Sequence, residues 1–141
     1  MKKLLLFLFC AVLITCTALG FSEYFYGSSG IMESGIVDVV RVDSFERMGK
    51  VVVLKYPEDE TEEKIIEILS KAERKNRSYR PKAIEGSRMD YEIELYFMDT
   101  YEHRFLNLGE ESSIYDPDTG KSWEIINADE ILLELEAFLG E

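Results

Sequence analysis

Six basic side chains fall close together in an otherwise acidic chain: Lys71, Arg74, Lys75, Arg77, Arg80 and Lys82, in the stretch KAERKNRSYRPK. Glu73 is the one acid among them. Cations spaced like this attract polyanions or lipid headgroups at short range. A Debye length of about 8 Å screens the distant acids of the protein but not a surface in contact. Arg74, Lys75, Arg77 and Arg80 are therefore the candidate residues for contact with an anionic surface. The competing account is internal balance, in which the same side chains offset acids on neighbouring elements and suit the end of a helix.

Other constellations are weaker. His103 is the single histidine, and neither Ser112 nor Ser113 stands in a recognisable nucleophile setting, so a hydrolytic triad has no visible partners. Glu92 and Glu94 alternate along one stretch and share a strand face. Such a pair suits acid–base chemistry if partly buried, and otherwise reads as a solvated sheet face. Asp116, Asp118 and Gly120 imitate the opening of a calcium loop, D-x-D-x-G. The twelfth position counted from Asp116 is Asn127 where a bidentate Glu belongs, and Pro117 fits a plain turn better. No Gly-rich phosphate cradle and no Cys or His spacing of a metal site is present, so no catalytic residue, metal or cofactor is expected.

The elements that must position these residues follow from periodicity. Residues 36–42 and 51–54 are strand-like and rich in β-branched side chains. Asp59 caps a helix whose apolar stripe is Ile65, Ile66, Leu69 and Ala72, and the pattern carries this helix to about Lys75. Residues 91–98 alternate as a strand: Tyr91, Ile93, Leu95 and Phe97 point one way, and Glu92, Glu94, Tyr96 and Met98 the other. A turn at Asp99-Thr100-Tyr101 leads into residues 104–108, then 113–115. The Asp116 to Gly120 turn leads to 122–126. Asn127 with Glu130 has the form of a capping box for a last helix, which presents Ile131, Leu132, Leu135, Phe138 and Leu139 on one face before Gly140. The expected fold is α+β: an antiparallel sheet of four to five strands with two amphipathic helices packed on one face, preceded by an N-terminal hydrophobic segment. Ile93, Leu95, Phe97, Trp123, Leu135 and Phe138 are the expected shared core.

The N-terminus sets the compartment. Lys2 and Lys3 precede residues 4–21, which hold no charge. That is the form of a signal peptide or membrane anchor. Three fates are open: cleavage after Gly20, retention as an anchor, or lipidation at Cys16 within Leu13-Ile14-Thr15-Cys16, where Thr15 departs from the usual small residue. Residues 1–21 are thus a leader or anchor, 22–35 a flexible stalk rich in Gly and Ser, and 36–141 a single domain. Both cysteines, Cys10 and Cys16, lie in the leader, so the domain has no disulfide or thiolate chemistry. All 28 acidic residues follow the leader, with the remaining 14 of the 16 basic ones, giving this part a charge of −14. Nucleic acid is excluded as an expected partner on that ground.

Taken together, these residues resemble a family of small exported domains of unknown function from Gram-positive bacteria. The resemblance runs over residues 37–139. It rests on a helix ending at Ala72 with Ser78 and Pro81 shortly after, the alternating strand from Tyr91 to Phe97, and the turn, strand and closing helix from Asp116 to Leu139. It implies an extracytoplasmic location and no assigned activity. The expected function is a non-enzymatic interaction module outside the cytoplasm, meeting a cell-envelope component or a protein, and the membrane through its N-terminus if that is uncleaved or lipidated. The rival is an acidic inhibitor or immunity-type protein that meets a cationic partner. A small hydrolase comes third.

Overall fold

The computed structural model describes residues 2–32, 37–45, 53–81 and 89–140. Val51, Val52 and Lys82, which figured in the expected strand and basic stretch, lie outside them. The chain begins with one long helix, α1 (Lys2–Tyr26), whose described side chains are exposed along nearly its whole length. After Gly27 comes a short strand, β1 (Ser28–Gly30). Then follow β2 (Val37–Ser44), β3 (Val53–Lys55), α2 (Asp59–Leu69), β4 (Glu73–Lys75), β5 (Met89–Phe97), β6 (Glu102–Gly109), β7 (Ser113–Asp116), β8 (Lys121–Glu124) and α3 (Ala128–Leu139).

The architecture is α+β with antiparallel sheets. The main sheet has six strands in the order β3-β2-β5-β6-β7-β8, more than the four to five expected, and β1 and β4 form a separate pair. The shortest of the six, β3, β7 and β8, fall on the stretches 51–54, 113–115 and 122–126 that the sequence marks. Three-residue β3 and four-residue β7 and β8 pair because turns fold each back on its neighbour, and so little chain carries only a faint alternation. The alternation of β5 is realised as read: Tyr91, Ile93, Leu95 and Phe97 are buried, and Glu92, Glu94 and Tyr96 face the other side, half-buried. Opposite them, Val39, Val42, Leu106 and Leu108 complete an apolar face. α2 packs on β2 and α3 on β6, and the two helices meet each other. Ile65, Ile68 and Leu69 of α2 and Ile131 and Leu135 of α3 are buried in the same cluster as the sheet residues. Phe97 is inside it, while Trp123 and Phe138 lie at its margin, half-buried.

Three local readings change. The helix expected to run to Lys75 stops at Leu69, and Glu73–Lys75 is a strand. Helix propensity in KAERK is worth tenths of a kcal/mol per residue. Backbone pairing with β1 and a bond from Ile126 N to Glu73 O outweigh it. α2 starts from Glu58 rather than Asp59 and has no side-chain cap, leaving Asp59, Glu60 and Glu62 to complement the helix dipole. Asn127 does precede α3, but its side chain does not cap it. The amide instead clips the chain before β4, with Oδ1 accepting from Glu73 N (2.9 Å) and Nδ2 donating to Lys71 O (2.9 Å).

Leu135 is fully buried between helix and sheet. Leu135→Ala is expected to cost about 2–5 kcal/mol, from lost transfer energy plus the residual cavity. Urea unfolding of the full chain in mild detergent checks it, and a loss below about 0.5 kcal/mol would place Leu135 outside the core.

Candidate membrane-proximal surface

Leu5–Tyr26 forms a continuous apolar helix of 22 residues with none of its span buried. At 1.5 Å per residue it is about 33 Å long, against about 30 Å of bilayer hydrocarbon. A helix apolar on every face has no core to meet, and this one is of the kind that serves as a signal sequence or a membrane anchor. Its two threonine hydroxyls are answered within the helix, Thr15 on Ala11 O and Thr17 on Leu13 O and Ile14 O. That is what an apolar surrounding requires. Cys16 is exposed on this helix, as is Cys10. Gly20 lies within it, six residues before its end.

The last turns are aromatic. Phe21 and Phe25 have ring centroids 4.3 Å apart, and Tyr24 meets Phe25 edge-on at 5.2 Å. Such rings suit the boundary between hydrocarbon and headgroups.

Of the segment expected to be a flexible stalk, the described part, residues 22–32, is bonded to the domain. Gly27 N donates to Glu23 O (2.8 Å), and Asn76 N donates to Gly27 O (2.9 Å). The Asn76 side chain also donates to Glu23 O (3.2 Å), and its other end pairs with Ser29 Oγ (2.5 Å). Ser28, Ser29 and Gly30 stand opposite Lys75, Arg74 and Glu73. Ile31 then enters the core, 5% exposed, with its N–H on Ala72 O. Gly27 must be small: a Cβ there would collide with Glu23 O and lie 2.6 Å from Asn76 Nδ2.

This pairing carries the basic stretch to the end of α1. The Arg77 guanidinium lies over the Phe25 ring, 5.0 Å from its centroid. Arg74 lies over Trp123 at 5.1 Å. Both contacts are cation–π in kind. Lys75 is paired with Glu124 (2.7 Å) and Lys71 with Glu134 (2.5 Å). The hydrogen bond from Lys71 to Glu134 raises the Lys71 pKa from its ordinary value. Arg80 is exposed and makes no ion pair among the described residues. The four expected contact residues are thus neighbours but not equivalents. Lys75 balances an acid on β8, Arg74 and Arg77 stack on aromatic rings, and Arg80 stands open. Sequence reasoning missed Gly27, Asn76 and Phe25 as partners of this stretch. Their one signal was the aromatic run Tyr24-Phe25-Tyr26.

The remaining candidates fall elsewhere. His103 Nδ1 lies 3.0 Å from Glu94 Oε1, and its ring stacks on Tyr96 with centroids 4.8 Å apart. In the turn after β7, Asp116 Oδ1 accepts from Asp118 N and Thr119 N and pairs with Arg104 (2.9 Å), while Oδ2 accepts from Thr119 Oγ1. Its oxygens thus close the turn, and Gly120 at φ 66° completes it. Burial alone would push the Asp116 carboxyl up, but the Thr119 bonds, Arg104 and Asp118 N hold it below its ordinary value. Glu92 goes the other way: burial raises its pKa, the nearby Asp43 charge adds to this, and Arg41 offsets part of it.

Several clefts are lined by described residues. One of about 770 Å³ is lined by Glu110, Glu111, Glu124, Asp129 and Glu130 around the start of α3. One of about 400 Å³ lies between Tyr56, Glu62, Tyr96 and His103. One of about 210 Å³ lies between Arg74, Phe97, Arg104 and Trp123. Glu92 lines none of them. No protein-family model, curated protein or solved structure matches the chain.

Two outcomes are expected. Gly27→Ala should loosen the joint and admit protease between α1 and β1 in detergent-solubilised protein; a digestion pattern like the wild type's would show a slack joint. The two shifted carboxyls should act on stability with opposite signs. Glu92, raised in the folded state, contributes stability at low pH that is lost as pH rises through its folded pKa, so Glu92→Gln should raise Tm at pH 7 and change little below about pH 4. Asp116, lowered in the folded state, contributes stability at neutral pH that is lost as pH falls through its folded pKa, so Asp116→Asn should lower Tm at pH 7. Melting curves of both variants across pH check the signs.

Proposed function

We propose that the chain is a membrane-tethered interaction module outside the cytoplasm, non-enzymatic, with α1 retained as its anchor and the basic stretch laid against anionic headgroups or envelope polymer. The observation that carries this reading is the tie between the last turn of α1 and the strand pair that bears Arg74 and Lys75, with Arg77 two residues beyond it. Cleavage after Gly20 would cut α1 internally and leave Phe21, Tyr24, Phe25 and Tyr26 as an aromatic stub in water. Lipidation at Cys16 would keep the same joint at the bilayer by other means. Lys2 and Lys3 hold the opposite end of the helix in the cytoplasm. With the aromatic end at the outer boundary, Arg77 and Arg80 stand at headgroup depth, where each basic residue contributes about 1 kcal/mol against an anionic surface. Kinship with small exported Gram-positive domains belongs to the same proposal and adds compartment, not activity.

The rival reading, an acidic protein that meets a cationic partner, rests on the cleft lined by Glu110, Glu111, Glu124, Asp129 and Glu130. A basic protein partner bound through that cleft would be lost with Glu110→Gln and Glu111→Gln and kept with Arg77→Gln and Arg80→Gln.

The test has two parts. Mass spectrometry of the protein from native membranes should find the N-terminus intact and no lipid on Cys16; a chain beginning at Phe21 would end the anchor reading. Hydrogen exchange of the full chain in nanodiscs should then be slower over residues 73–80 in anionic than in zwitterionic lipid. Arg77→Gln with Arg80→Gln should erase that difference while leaving Tm within a degree or two, about what exposed side chains allow. Identical exchange in both lipids would remove the basic stretch from the interface.

A further inference from the structure

The cleft of about 400 Å³ opens at one edge of the main sheet, where β2 outruns its neighbour. β3 pairs only with Arg41–Asp43, so among the described residues the earlier part of β2 has no strand on that side. Other groups finish the edge. Tyr56 N donates to Val40 O (2.9 Å), and Glu62 Oε1 of α2 accepts from Val39 N (2.6 Å). These bonds fix Tyr56 and Glu62 on one side of the cleft. On the other side, Asp38, Tyr96 and His103 stand opposite one another across three strands and share a sheet face. His103 lies against the Tyr96 ring, centroids 4.8 Å apart, and its Nδ1 is held by Glu94.

Folding alone gives no reason for two features of this lining. Tyr56 is 78% exposed and takes φ 48°, a left-handed conformation that is unfavourable for a bulky side chain. Tyr101 shares that region, but in the β5–β6 hairpin turn, where left-handed residues are usual. Tyr56 stands outside any hairpin, and backbone strain of this kind is characteristic of ligand clamps. Asp38 is half-buried and makes no hydrogen bond or ion pair among the described residues. No lysine or arginine is among the described residues that line the cleft. Two tyrosine rings and one unpaired carboxylate thus face a common space that offers them no cation.

We infer that this cleft binds a small dissolved molecule by a quaternary ammonium head, with the Tyr56 and Tyr96 rings and the Asp38 carboxylate as its contacts. Aromatic faces attract such a cation electrostatically, and quaternary ammonium groups are the ligands that aromatic cages take. The volume is that of a small-molecule site. A primary ammonium is strongly hydrated and brings three N–H donors, while Glu62 Oε1 is already taken by Val39 N. A quaternary head brings no donor that could be left unmet. The surrounding charge has the right sign, with Asp38 and Glu62 in the lining and Glu94 behind His103. β2 lies four strand spacings of about 4.8 Å from β8, the edge beside which β4 and the α1 joint lie. The ligand is therefore a solute and not a headgroup beside the anchor. Its binding is independent of whether α1 is retained and of what the basic stretch meets.

Choline titrated into the full chain in a maltoside detergent tests the site by calorimetry, with ethanolamine and sodium at matched ionic strength beside it. Expected is a choline Kd of about 0.1–1 mM, within reach of so small a ligand, and weaker binding of ethanolamine. Tyr56→Gly removes one ring where glycine suits the backbone, so Tm should hold while affinity falls about fivefold or more. Asp38→Asn keeps the shape and removes the charge, and should also weaken binding about fivefold or more. Tyr101→Gly, at the other left-handed tyrosine, and Glu110→Gln, in the acidic cleft, should leave affinity unchanged. No choline binding at concentrations tenfold above the expected Kd overturns the site. So does a loss on Tyr101→Gly or Glu110→Gln equal to that on Tyr56→Gly, which would mean diffuse attraction to an acidic protein. Ethanolamine binding as tightly as choline would mean that carboxylates alone recognise the charge, and would overturn the quaternary assignment. Choline affinity lower in phosphatidylcholine nanodiscs than in phosphatidylethanolamine ones would show headgroups filling the cleft, and would overturn the assignment to a solute.

Discussion

The backbone pairing of Ser28–Gly30 with Glu73–Lys75 is the constraint on which the rest of the molecule depends. It ends α2 early, because residues committed to a strand cannot continue a helix. It draws the exit of α1 onto the domain, because β1 follows Tyr26 after a single residue. It also links the small sheet to the large one: Arg74 bridges to Ile125, Tyr79 to Ser122, and Ile126 N bonds to Glu73 O. Three residues a side are too few to be stable alone in water. The pairing holds because Asn127 clips one strand from outside, Asn76 stitches the other, and Ile31 and Ala72 next to the pair are buried in the common core.

Where many residues agree on one period, the sequence was legible. Tyr91 to Phe97 alternates over its whole length, and its apolar half is the floor of the core. The stripe of α3 through Ile131 and Leu135 is read with the same ease. Turn chemistry gave the bend at Asp116 to Gly120, since a side-chain acceptor, a proline and a glycine each act within four residues of one another. Elements made by distant partners were not legible. Glu73–Lys75 has the composition of a helix end and becomes a strand because of residues some 45 positions earlier. Asn127 has the position and company of a cap, yet its amide is drawn to Lys71 and Glu73, more than fifty residues away.

The same distinction applies to the candidate surface. A run of cations is visible to anyone reading the chain, but charge count does not say which cation is answered. Lys71 and Lys75 find carboxylates on α3 and β8, so part of the stretch is balance, as half of the sequence argument held. Arg77 finds an aromatic ring instead, which leaves it exposed and its charge unneutralised while one face lies against Phe25. On the open sheet face, acids two residues apart in sequence differ in kind. Glu94 has His103 for company, and Glu92 stands between Asp43 on one strand and Asn107 on the next. Only the register across strands separates the two.

With Gly27 the sole residue between α1 and β1, and both of its sides bonded, the helix and the domain turn as one piece, like a key and its shaft. An α-helix advances about 1.5 Å and about 100° per residue. Adding one residue to the middle of α1 would therefore swing the domain through more than a quarter turn about the helix axis, relative to the first turns of α1, while displacing it by only about 1.5 Å. Helix length then fixes the bearing of every surface of the domain relative to the first turns of α1.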